Sequence, residues 1–252
     1  MIASLPMYDR PETALVLDDL WSGIRARLGV PAPERLTRGG SLWDQWTARD
    51  LLLSQTCGYP YRARLRGKVR LVAAPAAHLP GCAPGYYNSV LIVRADDARQ
   101  DLPAFADAPF AYNEALSQSG WAAPQHHAAG LGFAFTRAIP TGAHALSASA
   151  VAQGRADIAS IDAISWRLIQ RHDACAANLR EIARTLPTPA PPFITAAGGD
   201  ADAIAAALGA AIAALTPDAQ DTIGLFGLAQ VPSSAYLSVP RPAPPGRSSA
   251  PT

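Results

Sequence analysis

The chain has 252 residues, of which 49% are hydrophobic and 16% charged; 21 Lys and Arg against 20 Asp and Glu leave a net charge of +1. That composition can bury a sizeable core and is not that of a disordered polymer, and so small a net charge gives no electrostatic footprint for nucleic acid or an anionic membrane surface. No stretch reaches about 18 uninterrupted apolar residues, so no membrane insertion is expected.

The N-terminal stretch reads as a short buried strand, Ile2–Met7. It lacks a basic start and a long apolar centre, so no export leader is read and the cytoplasm stays open as a location. A polar turn follows at Tyr8-Asp9-Arg10-Pro11, with Pro at a helix start. Leu17, Leu20, Trp21, Ile24 and Leu28 recur at three and four, which predicts an amphipathic helix over Pro11–Leu28 closed by Gly29. Tyr8 then sits at the carboxyl end of a strand, where open α/β sheets collect ligand contacts; a surface Tyr on a turn is the plainer reading. Trp43 and Trp46 lie on a short helical segment. Leu51–Thr56 is a buried strand ending in Gln55 and Thr56, and Gly58-Tyr59-Pro60-Tyr61 reads as a turn. Arg62, Arg64, Arg66, Lys68 and Arg70 are spaced by two, as on the wet face of an extended segment or the outside of a turn, and read as a solvated face, with a phosphate-binding patch as the alternative. Lys68–Pro75 and Tyr86–Arg94 are further strands, the second apolar enough to be buried on both faces.

A short helix at Leu102–Ala106 leads to the strand Phe110–Asn113 and then to Ser117-Gln118-Ser119-Gly120, after which a helical pattern runs from Trp121 to Leu131. Two hydroxyls and a glycine thus stand where a strand hands over to a helix. The first turn of a helix carries amide donors without intrahelical partners, and the macrodipole adds partial positive charge, so an oxyanion fits there without Lys or Arg. An ordinary helix cap is the competing reading. Phe133–Thr136 is a further strand candidate. Ala143–Gln153 is a helix closed by Gly154, Asp157–Asp162 a short buried strand ending in a carboxylate, and Ala163–Arg171 a helix. Arg180–Thr185 and Phe193–Ala197 are strands on either side of a Pro-rich connector, and Ala201–Leu215 is an Ala-rich helix.

Strands and helices alternate throughout. The predicted class is α/β, with mostly parallel sheets flanked by helices. The block between the apolar segments 89–93 and 193–197 suggests two lobes joined by two hinge strands. The expected boundaries are 1–90 with 193–239 for lobe I and 91–192 for lobe II, with a disordered Pro/Ser-rich tail at 240–252. A cleft between lobes is a natural ligand site, and the polar strand ends could face it.

In this order of elements the chain resembles the phosphonate/phosphate-type solute-binding proteins of ABC transporters, within the type II periplasmic-binding fold. The pieces that carry the likeness are Asn113 with Ser117-Gln118-Ser119-Gly120, the loop Gln55-Thr56-Cys57-Gly58-Tyr59, and Gly154-Arg155-Ala156-Asp157-Ile158-Ala159 with Asp162. The first resembles the family's helix start that holds phosphonate oxygens, and the second the aromatic loop of the other lobe. The acid closing the third contacts the ligand in members that bind an amino group. The resemblance implies a monomeric, periplasmic binding protein, without cofactor or metal, delivering a small anion to a transporter permease. Its ligand-binding set would be Tyr8, Gln55, Thr56, Gly58, Tyr59, Asn113, Ser117, Gln118, Ser119, Gly120 and Asp162, with Ser117, Ser119, Thr56 and the amides of Ser119 and Gly120 as donors. Asp162 is either a discriminator for a ligand amine or a helix cap.

Three cysteines occur, without CxxC or zinc spacing; Cys57 and Cys82 both lie in Gly/Pro-rich loops, as a disulfide in an oxidising compartment or as two thiols. The competing functions are a cytoplasmic ligand sensor and an enzyme on the same fold. The enzyme's candidates would be His126, His127 and Cys57, but no GxSxG, HExxH or P-loop accompanies them.

Overall fold

The computed structural model describes residues 1–246; the part of the expected tail at 247–252 lies outside the described residues. In chain order the elements are β1 (Ile2–Ala3), α1 (Ala14–Arg25), α2 (Leu42–Thr47), β2 (Leu51–Gln55), α3 (Gly58–Pro60), β3 (Val69–Ala76), β4 (Tyr86–Tyr87), β5 (Ser89–Arg94) and β6 (Phe110–Tyr112). Then come α4 (Ala123–Gly130), β7 (Ala138–Pro140), α5 (His144–Ala152), β8 (Ile158–Asp162), α6 (Ala163–His172), β9 (Leu179–Arg184) and β10 (Thr188–Pro189). The chain closes with β11 (Phe193–Ala196), α7 (Ala201–Ala214), α8 (Pro217–Ile223), β12 (Gly227–Ala229) and α9 (Ser233–Leu237). Two π-helical turns, Tyr61–Leu65 and Gln118–Ala122, run on from α3 and into α4.

The described residues divide into two compact units: 1–86 with 189–238, and 87–188 with 239–246. The polypeptide therefore passes between them three times, within β4, within β10 and after α9.

In the first unit the sheet order is β1-β2-β11-β3-β12. β1 is parallel to β2; β11 is antiparallel to both β2 and β3, and β12 is antiparallel to β3. Thus β1, β2 and β3 share one direction, and the two late strands oppose them. Two hydrophobic clusters pack on this sheet. In one, Leu17, Leu20, Trp21 and Ile24 of α1 and Ile204, Leu208 and Ala211 of α7 meet Leu53, Val72 and Phe193. In the other, Trp46, Tyr61, Leu65 and Tyr236 meet Leu51, Ala74 and Ile194. Neighbours Phe193 and Ile194 fall in different clusters, as alternation along a strand leads one to expect. A Cβ on Gly23 would stand 3.3 Å from Ala211 Cβ, so α1 and α7 approach closely through small residues. α9 is fixed by Tyr236, whose buried phenol donates to the Ala190 carbonyl at 2.9 Å, and by Ser233, hydrogen-bonded to Tyr61 Oη at 2.8 Å. Burial holds the Tyr236 phenol well above the usual tyrosine range.

In the second unit the order is β7-β6-β8-β5-β9. β6 is parallel to β7 and β8, while β5 is antiparallel to β8 and β9. β6, β7, β8 and β9 therefore share a direction, with β5 alone reversed. Val90–Val93 are fully buried, matching the two-sided burial read from their apolar run. At the edge where β8 begins, Arg99 binds Asp97 and Asp157 at 2.6 and 2.9 Å, and its guanidinium lies 3.9 Å from the Phe105 ring centre. The Arg99 hydrogen bonds hold the Asp97 carboxyl down at about 2, against the opposing effect of burial.

Several local expectations change. The strand expected at 2–7 stops at Ala3, because the chain turns at Pro6 and Met7. α1 starts three residues late: Thr13 Oγ1 accepts from the Arg10 amide and donates to the Tyr8 carbonyl, closing a turn before the helix. Residues 58–65 are helical rather than a turn; Arg64, Arg66, Lys68 and Arg70 of the basic run are exposed, as a solvated face requires, and Arg62 is the exception. Arg62 is buried there, its guanidinium 4.3 Å over the Tyr59 ring. Residues 133–136 form no strand. The Gln125 side chain donates to the Phe135 carbonyl and accepts from its amide, taking the place of a ladder partner, and the strand forms at β7 instead. No single helix among the described residues is long and apolar enough to cross a membrane.

Gly85 precedes the first passage between units with φ +82°, and a Cβ there would lie 2.6 Å from Val231 Cγ2 and 2.8 Å from Ala229 Cβ. Gly85→Ala is expected to destabilise the fold by about 2 kcal/mol or more, combining left-handed backbone strain with a clash. Urea unfolding checks it: the midpoint falls while the slope holds.

Candidate functional site

The geometry of the second unit gathers polar groups at one edge of its sheet. Three parallel strands, β6, β7 and β8, each end there, and each hands over to a helix: β6 to the π-turn and α4, β7 to α5, β8 to α6. Parallel strands followed by helices turn their carboxyl ends and the helix N-termini to one side, the usual ligand edge of such sheets.

At the end of β6, Ser117 is the helix cap: its Oγ accepts from the Gly120 amide at 2.9 Å. The Gly120 donor is thereby used within the turn, contrary to the expectation that it points at a ligand. Ala122 donates to the Ser117 carbonyl at 3.0 Å, an i to i−5 bond that widens the first turn. The Ser119 amide falls in that first turn, ahead of the helical ladder. The turn is built around Gly120: a Cβ would sit 1.9 Å from Asn113 Oδ1, so only glycine lets Asn113 lie across it. Asn113 Oδ1 is itself buried without a hydrogen-bond partner. Gln118 is buried and reaches Thr188 Oγ1 at 3.5 Å.

Ser119 makes the central contact. Its Oγ lies 2.9 Å from His144 Nε2, and its carbonyl accepts from Ser160 Oγ of β8 at 2.7 Å. His144 is the first residue of α5, so the bond joins the N-terminal turns of two helices, and Ser160 ties the third strand to them. The imidazole is desolvated, which pushes its pKa down to about 4, only partly opposed by the Ser160 backbone. A cation at a helix N-terminus would also be disfavoured by the dipole. His144 Nδ1 is buried with no hydrogen-bond partner. The ring is therefore neutral near pH 7. Among the described residues no carboxylate is hydrogen-bonded to its Nδ1, the place a hydrolytic triad would fill.

Asp162 ends β8 as the cap of α6: its Oδ1 accepts from the Ile164 and Ser165 amides at 2.8 and 2.9 Å. It is 4% exposed, and the cap role is the one the geometry displays.

The first unit brings together Gln55, Thr56, Gly58 and Tyr59 at the end of β2. Gln55 Nε2 donates to the Pro191 carbonyl at 3.0 Å, which commits that amide to the fold. Thr56 is fully buried and its Oγ1 has no hydrogen-bond partner. Gly58 opens α3, and a Cβ there would touch the Tyr236 ring at 3.4 Å. Tyr59 is buried under Arg62. Tyr8 is half-buried in the loop beyond β1, where its carbonyl anchors Thr13. Cys57, Cys82 and Cys175 are thiols, none in a disulfide. His126 and His127 lie side by side on α4; burial lowers the His127 pKa. No group of three or more His, Cys, Asp or Glu suited to a metal occurs among the described residues.

Hydroxyls, amides and a neutral imidazole thus gather at the carboxyl edge of one sheet in a two-unit α/β chain. The solved structures agree on the fold. PhnD1 from Prochlorococcus marinus, in complex with methylphosphonate, superposes with a TM-score of 0.72 at 14% identity, over 93% of each chain. A binding protein component of an ABC phosphonate transporter from Pseudomonas aeruginosa gives 0.65 at 17% identity, over 90% of this chain and 79% of that one. A histidine kinase sensor domain with similarity to periplasmic binding proteins gives 0.57 at 15% identity, over 91% and 98%. No curated protein matches the chain in sequence. The family model for the ABC transporter, phosphonate, periplasmic substrate-binding protein matches residues 50–231, and the chain belongs to that family.

The neutral His144 makes stability depend on pH. Its folded pKa of about 4 lies below the 6.5 of the free side chain, so between those values the unfolded chain binds more protons and stability falls on acidification. Melting temperatures measured from pH 7 to 4 are expected to show wild type losing more than His144→Gln across that window. An unchanged gap would place the imidazole in water.

Proposed function

We propose that the chain binds a small tetrahedral oxyanion, phosphate or phosphonate-like, at the Ser117–Gly120 turn and delivers it to an ABC transporter permease from the periplasm. The observation that carries this reading is the Ser119–His144 hydrogen bond at the meeting of two helix N-termini. Oxygens of an anion set there would accept from the Ser119 hydroxyl and amide. Bonds from neutral donors to a charged acceptor are charge-assisted and stronger than neutral pairs. The neutral imidazole adds a second polar atom that accepts a proton from, or donates one to, the anion according to its tautomer. None of the side chains bonded at this turn carries a formal charge, so selectivity would come from geometry rather than net attraction.

Thr56 and Tyr59 of the first unit remain in the proposed binding set, supported by the unpartnered hydroxyl of Thr56. So do Tyr8, Gln55, Gly58, Asn113 and Gln118, on the resemblance alone. Asp162 is proposed as a structural cap and not as a reader of a ligand amine.

Methylphosphonate, phosphate, aminoethylphosphonate and sulfate are the probes. At a hundred times its dissociation constant a true ligand adds about 2.7 kcal/mol, or roughly 5–10 °C in melting temperature for a chain of this size. At least one phosphorus oxyanion is expected to do so. Ser119→Ala should weaken it roughly 10- to 100-fold, the worth of one charge-assisted bond. A shift that survives this substitution puts the anion elsewhere. Aminoethylphosphonate is expected to bind no tighter than methylphosphonate; tighter binding that is lost in Asp162→Asn would assign the carboxylate to the ligand.

A further inference from the structure

Trp121 stands in the π-turn, directly after the residues that form the anion site. It is 3% exposed, packed on Tyr112 at 5.0 Å and on Phe110 at 6.3 Å between ring centres. A buried indole N–H needs an acceptor. Trp121 Nε1 finds it 122 residues away, donating to the Ala243 carbonyl at 2.9 Å.

The segment that supplies this carbonyl is Val239-Pro240-Arg241-Pro242-Ala243-Pro244-Pro245-Gly246. From its proline content it reads as a free tail. The structure shows a regular burial pattern instead: Val239, Pro242 and Pro245 are half-covered, while Pro240, Arg241, Ala243, Pro244 and Gly246 are exposed. A spacing of three is the period of a polyproline II helix, whose one edge is turned inward. Such a segment makes no internal hydrogen bonds, so its carbonyls are open to outside donors, and proline has already removed much of the entropy that docking would cost. An aromatic surface with an indole donor is the surface that recognises extended Pro-rich chain. By its contacts the same segment groups with the second unit, although it follows α9 of the first.

We propose that residues 239–246 are an intramolecular ligand of the second unit, and that the Ala243 carbonyl, through Trp121, positions the Ser117–Ala122 turn for anion binding. Trp121 and the tail are positioning elements. They act on the donors at Ser119 and do not touch the anion. The consequence for affinity rests on the functional reading above; the docking does not.

The test compares the full chain with one ending at Ser238 by nitrogen–proton correlation spectroscopy without ligand. The Trp121 indole resonance is identified as the one missing in Trp121→Phe. Truncation is expected to move it and to speed its hydrogen exchange at least tenfold, to shift the Ser119 and Gly120 amides, and to leave the indoles of Trp21, Trp43, Trp46 and Trp166 in place. If the Trp121 indole stays put, the docking is wrong; if it moves and the Ser119 and Gly120 amides do not, the positioning role is wrong. Should the shortened chain fail to fold, Trp121→Phe in the full chain decides: the Ala243 and Gly246 amides must move to free-coil positions. Whichever of methylphosphonate and phosphate stabilises the full chain should bind the truncated one at least tenfold more weakly at a temperature where both are folded, and equal affinity overturns the positioning claim. A full chain that binds neither anion counts against the functional reading alone, since the indole resonance still decides the docking.

Discussion

Everything distinctive in the second unit follows from three neighbouring strands that run the same way and each feed a helix. β6, β7 and β8 share a direction, so their carboxyl ends and the helix starts that follow lie on one edge. Three sets of first-turn amides and three partial positive charges converge there. The protein spends them differently. At the α6 start Asp162 accepts from two first-turn amides. The π-turn before α4 is capped by Ser117 and widened, and the α5 start presents a histidine to it. One edge therefore holds a helix start capped by a carboxylate beside two joined by a Ser–His hydrogen bond.

The placement of charge is the complement of this. β8 ends in the site region, but it begins beside Arg94, Arg99, Asp97 and Asp157. A strand of five residues puts about 13–17 Å between these two ends, more than a screening length at physiological salt. The guanidiniums are neutralised by carboxylates at one edge, and the side chains hydrogen-bonded at the Ser117–Gly120 turn at the other edge carry no formal charge. If the proposed anion sits there, its affinity depends on oriented dipoles that a small rearrangement can spoil.

How much of this could be read from residues alone depends on the element. β5 and α6 were legible nearly to the residue, because an uninterrupted apolar run and a clear three–four periodicity leave little choice. The cap at Ser117 and the turn after β6 were also legible, since Ser and Gly at a strand-to-helix junction have few other uses. The π-turns were not: an extra residue in a helical turn leaves no mark in composition. His144 was missed for a traceable reason. Phe133 and Phe135 look like strand residues, and placing a strand there moved the carboxyl edge away from the true end of β7 at Pro140. With β7 in its observed place, the turn Thr141-Gly142-Ala143 points straight at the histidine. The direction of β11 and β5 was equally invisible, because apolar runs do not say which way a strand is traversed.

The passage of the chain out of the first unit after α9 bears on how the protein can be divided. A reader of the sequence would cut out the second unit as one continuous piece from 87 to 188. That excised piece would carry a tryptophan whose indole had lost its acceptor and an aromatic surface newly open to solvent. The module as the molecule builds it is stitched from two distant segments, and a faithful miniature of it would have to splice the final prolines back on.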